Sequence, residues 1–177
     1  ISTTSVFNIH SYMLMDQSTI RSLELVKSSE GERKNSLLDL LDLSQTAMGA
    51  RRIREWILKP NIDIHLIRER LDQVDSFKTD LLLRQAIRDR LKSIHDLERL
   101  LGRISLSVCN ARDIIALKIS LSTLPHLLKL LNQSKNASLN TFKSEWDNLE
   151  RVHEIIEKKI IDDPPFSLKE GNCIKTG

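Results

Sequence analysis

Residue types able to do chemistry are few in this chain, and they are scattered. His153 and Glu154 open the run HEIIE (153–157). It begins like HExxH, in which two histidines one helical turn apart hold zinc and the glutamate acts as general base. Here the fifth position is Glu157, so the second imidazole is missing, and the run reads as a solvated helix face beside Ile155 and Ile156. The five histidines, His10, His65, His95, His126 and His153, fall on different segments. Cys109 adjoins the expected cap of a long helix, whose dipole could lower a thiol pKa; a small buried cysteine is the plainer reading. No GxxxxGK[ST] or GxGxxG run is present to cradle a phosphate, and no GxSxG run to raise a serine nucleophile. The expectation is no catalytic residue, no cofactor-binding residue and no metal ligand. What remains is the basic group Arg51, Arg52, Arg54 and Lys59, the candidate contacts to a DNA backbone. Against it stands a solvated helix end, with Glu55 at i+4 from Arg51 and positive charge complementing the helix dipole.

The totals favour a framework over an active site. The 177 residues suit one domain with an appended segment. Hydrophobic content is 40% but aromatic content only 4%, so leucine and isoleucine must build the core. Five glycines and four prolines leave little material for turns, which points to long helices. A net charge of +3 permits contact with phosphates without demanding it. The scattered aromatics offer no platform for stacking single strands, and Trp56 and Trp146 are expected to anchor helix packing. Cys109 and Cys173 lack CxxC spacing, so reduced thiols are expected. No window is read as reaching the roughly 18 apolar residues that cross a bilayer, and the first residues do not resemble a signal peptide. Without a starting Met, the chain is expected to be a piece of something longer.

The periodicity predicts an all-α fold, a multi-helical bundle or rod of six or seven helices. Residues 1–15 read as an irregular connector, 16–161 as the helical core and 162–177 as an extended segment. Asp16 or Ser18 should cap a first helix bearing Ile20, Leu23 and Leu25. Residues 27–35 read as an exposed loop. Asn35 and Ser44 are the expected caps of the next two helices, with a bend near Leu43–Ser44 and Pro60 as the stop. Gly49 inside the second is read as allowing close backbone approach. Asp63, Asp80, Asp96 and Asn110 should start four more. The first of these carries the stripe Ile64, Ile67, Leu71 and Val74. The last carries the heptad-like seam Ile114, Leu117, Leu121, Leu124, Leu128 and Leu131, with Pro125 expected to kink it. A final helix bears Leu149, Val152, Ile156 and Ile160, and residues 162–177 could pair as a strand.

Several colinear stretches carry a resemblance. "SLLDLLD", "TAMGARRIREWILKP" and "DIHLIRERLDQV" resemble the core, or lever, region of the MutS DNA mismatch-repair family. So do "YMLMDQSTIRSLEL" upstream, "HDLERLLGRISLSVCNARDIIALKISLSTLPHLLKLL" downstream and the closing "DDPPFSLKEGNCIKTG". The wording is closest to the bacterial branch; Pro60-Asn61 and Gly171-Asn172 depart from the usual Pro-Leu and paired glycines. The resemblance implies a modular parent in which an N-terminal wedge reads mismatched double-stranded DNA, a clamp holds it, and a dimerising ATPase using ATP and Mg drives conformational change. It further implies a homodimer, a downstream partner of the MutL family, no membrane, and a cytoplasmic, nucleoid-associated location in bacteria. The chain is expected to end where the clamp begins, without a returning helix, which would leave part of the 110–133 seam exposed and prone to self-association. The alternatives are a stand-alone helical nucleic-acid-binding module and a helical protein-interaction domain.

Overall fold

The structure, a computed structural model, describes residues 11–134, 136–144, 146–165 and 171–175. His10 and the part of the extended tail at 166–170 lie outside the described residues. Among those described the fold is all-α, as expected: α1 (Gln17–Ser22), α2 (Leu37–Leu41), α3 (Ala47–Leu58), α4 (Ile64–Thr79), α5 (Leu81–Leu91), α6 (Leu97–Ser105), α7 (Ala111–Gln133), α8 (Asn140–Ser144) and α9 (Glu150–Lys159). β pairing among them amounts to the isolated antiparallel bridges Tyr12–Asn61 and Ile160–Ile174.

Most helices start where a side chain satisfies the free N–H groups of the first turn. The carboxylates of Asp16, Asp80 and Asp96 accept from the amides three residues on. Asp63 accepts from the amide of His65 at 2.8 Å. Asn110 and Asp113 form a reciprocal capping box. Two expected caps move. Asn35 sits in the left-handed region at φ 66°, unsuited to a cap, so the hydroxyl of the extended Ser36 accepts from the Asp39 amide instead. Ser44 does not begin α3, which starts at Ala47; the Ser44 amide donates to Asp42 Oδ1 at 3.2 Å.

The chain forms two compact units, residues 1–44 with 49–74, and residues 45–48 with 75–177. In the first, Leu25 and Leu38 are buried. The amides of Leu37 and Leu38 donate to the carbonyls of Glu24 and Leu25, holding the two turns together. Arg33 reaches Asp42 at 2.6 Å and so fastens the 27–35 loop. The Asp42 carboxyl is held below its usual range, first by the Ser44 hydrogen bonds and then by Arg33. Trp56 of α3 carries the Arg70 guanidinium of α4 at 4.3 Å from its ring centre. The α4 stripe departs from expectation: Ile64, Leu71 and Val74 are more than half exposed.

In the second unit α7 is the centre, and α5, α6, α8 and α9 all pack against it. One cluster joins Leu100 of α6, Leu117 and Leu121 of α7 and Ile156 of α9; the other joins Leu83 of α5, Leu131 of α7 and Leu139, with Phe77 and Trp146 beside it. The seam, expected to be exposed in part, is covered at half of its positions and partly covered at the rest. Leu117, Leu121 and Leu131 are buried, and Ile114, Leu124 and Leu128 half-buried. Ser120, Thr123 and Leu127 are buried too, because helices pack on more than one side. The helix continues through Pro125. Contrary to the sequence reading, α7 is long and apolar enough to cross a membrane by length and composition, with a mean hydropathy of 1.5 over an 18-residue window. Here those aliphatic side chains meet the helices around α7.

Candidate functional site

The predicted basic group lies on and just beyond α3. Arg51, Arg52 and Arg54 are exposed and Lys59 is half-buried. At about 100° per residue the three arginines fan over roughly 160° of the helix, with Glu55 in the middle of the fan. Glu55 pairs with Arg52 at 3.0 Å. An anionic carboxylate within the fan weakens the positive field that a phosphate backbone would meet.

His153 and Glu157, one turn apart on α9, have different neighbours. His153 lines a cleft of about 250 Å³ between α7 and the start of α9, beside Pro125. Glu157 is engaged in ion pairs. Among the described residues no group of three or more His, Cys, Asp or Glu side chains could hold a metal ion. Cys109 and Cys173 are half-buried free thiols.

The better-built feature is mechanical: α7 and the polar ties that fix its neighbours to it. Ser120, fully buried, donates to the Ala116 carbonyl and accepts the His95 amide at 2.9 Å, which pins the turn before α6 against α7. Arg103 of α6 pairs with Asp113 at 2.9 Å, the residue that also closes the α7 capping box. Near the end of α9 a four-charge junction forms. Lys118 Nζ, on a side chain 13% exposed, lies 2.6 Å from Asp162 Oδ1 and 3.0 Å from Glu157 Oε2. Lys175 Nζ donates to the Glu157 carbonyl at 2.8 Å and lies 3.5 Å from its carboxylate and 3.9 Å from Asp162.

Opposite charges in the junction favour the ionised states of Lys118, Glu157 and Asp162. Asp162 first and Glu157 second raise the Lys118 pKa above its ordinary value. Lys118 first and Lys175 second hold both carboxyls below theirs. The backbone pairs at the same place: the Ile161 amide donates to the Cys173 carbonyl at 3.1 Å and the Lys175 amide to the Lys159 carbonyl at 2.8 Å. The pairing is an isolated antiparallel bridge between Ile160 and Ile174. Nothing in the spacing marks the junction, since Lys118 is 44 residues from Asp162 and they meet only through the packing of α9 on α7.

Comparisons with known proteins give the chain a family. The profile of the family described as MutS domain III matches residues 18–176. A protein called DNA mismatch repair protein MutS from Acetivibrio thermocellus is 43% identical over 98% of this chain. Those of the same name from Pelotomaculum thermopropionicum and Alkaliphilus oremlandii are 44% and 41% identical over 94% and 100% of it. The chain spans 20% of the length of each of these relatives. With a domain match over most of its length and relatives of this identity, the chain belongs to the MutS family, as its domain III.

Proposed function

We propose that the chain is the lever of a mismatch-repair MutS protein, linking parts that bind mispaired double-stranded DNA to a part that hydrolyses ATP with Mg. The carrying observation is α7, 23 residues long and so about 35 Å, packed by α5, α6, α8 and α9 and tied by the hydrogen bond between the buried Ser120 and His95. A packed helix transmits a rigid-body displacement, whereas a flexible linker dissipates it. The parent would act as a homodimer with a downstream partner of the MutL family, in the bacterial cytoplasm at the nucleoid.

The test uses the intact parent carrying His126→Gly and Lys129→Gly, two exposed positions of α7. Each glycine costs about 1 kcal/mol of helix stability without removing a core side chain. Mismatch binding and basal ATP hydrolysis should survive while the effect of mismatched DNA on ATP turnover falls. Unchanged coupling would sink the lever reading. A gel shift of the chain alone separates it from a stand-alone nucleic-acid module. The lever predicts feeble binding without mismatch preference; tight, salt-steep binding lost on substituting Arg51, Arg52 and Arg54 by alanine favours the module.

A further inference from the structure

We propose that residues 171–175 are a charge-held strap on the end of α9, able to release while the α7 core beneath stays folded. The two layers of this region are held by different forces. Below, Leu117, Leu121 and Ile156 are buried with Ile160 packed against them, and such contacts are insensitive to salt. Above, Gly171 and Asn172 are exposed and Ile174 is 67% exposed. The hydrophobic effect contributes little there.

Two backbone hydrogen bonds and the Lys118–Glu157–Asp162–Lys175 junction are what join strap to helix. Asp162, at the turn out of α9, meets both lysines. One lysine comes from the α7 spine and the other from the strap, so α7, α9 and the strap share one set of charges. The Glu157 and Asp162 carboxylates are 48% and 72% exposed, so their pairs respond to ionic strength far more than buried aliphatic contacts do. The strap is therefore the part of this unit that salt or a single neutralised charge frees first. The release sets whether residues 171–175 stay paired with residues 159–161 or leave them. This inference stands on the junction geometry alone and holds whether or not the chain acts as a lever.

The amides of Ile161 and Lys175 report the strap directly, because their acceptors are the carbonyls of Cys173 and Lys159. Hydrogen exchange resolved by residue in the full chain should show both amides accelerating roughly three- to tenfold in Asp162→Asn. Amides in the middle of α7 should keep their rates. Asp162 is 72% exposed, so this variant leaves the core in place. Lys118→Gln should match it, and raising sodium chloride to about 1 M should bring the unsubstituted chain to the variants' rates. The proposal is overturned if salt and Asp162→Asn leave the two amides unchanged, or if mid-α7 amides accelerate equally.

Discussion

The two compact units use similar aliphatic residues to different ends. In the second, leucines from α5, α6 and α7 and Ile156 of α9 converge on α7 and are buried. In the first, Leu25 and Leu38 are buried, while Leu14, Leu40, Leu43, Leu71 and Val74 are 60–77% exposed. Periodicity was sound in both: α4 and α7 are helices, and their apolar residues share faces. Periodicity states which residues share a face; whether that face is covered is decided by which other segments fold onto it. The second unit should thus be the stable body and the first the part that opens at lower free energy.

The largest expected effect comes from cutting into the covered side. Leu121→Ala, at a position 3% exposed, should cost about 2–5 kcal/mol through lost burial and the cavity left behind, read by chemical denaturation. The partner variant Leu38→Ala removes a side chain 4% exposed from the first unit. It should speed exchange around α2 while mid-α7 amides hold their protection. If Leu38→Ala unprotects α7 as much as Leu121→Ala does, the units are not separable in stability and the comparison breaks.

Next in size is Ser120→Ala. The substitution deletes the buried hydroxyl that accepts the His95 amide, and losing one such hydrogen bond costs about 0.5–1.5 kcal/mol. Cooperative denaturation should show the loss, with the His95 amide exchanging faster than its neighbours. A neutral result would mean that Ser120 fills space without tying the α6 turn to α7.

The charged groups sharpen the contrast by pH. Asp42 in the first unit and Glu157 and Asp162 in the second are held below their ordinary values. Their stabilisation is complete above the unfolded carboxylate range and is lost as pH falls through the lower, folded values. The Lys118 pKa is raised, so its contribution is complete below the ordinary lysine value and is lost as pH rises through the higher, folded one. Thermal melts should show an acid limb that Asp42→Asn and Asp162→Asn each shrink, and an alkaline limb that Lys118→Gln removes. An alkaline limb surviving Lys118→Gln would place its origin outside the junction.

What the sequence made legible follows from range. Asp16, Asp63, Asp80, Asp96 and Asn110 were readable as caps because a cap acts on amides two or three residues away. The MutS resemblance was readable because its motifs are local and colinear. Ser120's bond to His95 and the meeting of Lys118, Glu157, Asp162 and Lys175 were not, since they depend on which helices become neighbours. Asn35 misled for a subtler reason: its side chain suits a cap, but its φ of 66° does not.

Backbone conformation also supplies the smallest expected effect. Helix α6 ends with the Ser107 amide donating to the Ile104 carbonyl and the Val108 amide to Arg103, while Ser107 itself takes φ 57°. That is a left-handed helix stop at a position where glycine is commonest, and a serine there gave no warning of it. Ser107→Gly relieves about 1 kcal/mol of left-handed strain and gives back roughly half of that through the looser unfolded chain. The net should be a gain of about 0.5 kcal/mol in the second unit, seen as a slightly later denaturation midpoint with unchanged slope. Since Ser107 is exposed, lost packing cannot mask that gain. A destabilised Ser107→Gly would mean that the hydroxyl, and not the backbone alone, holds the end of α6 against the start of α7.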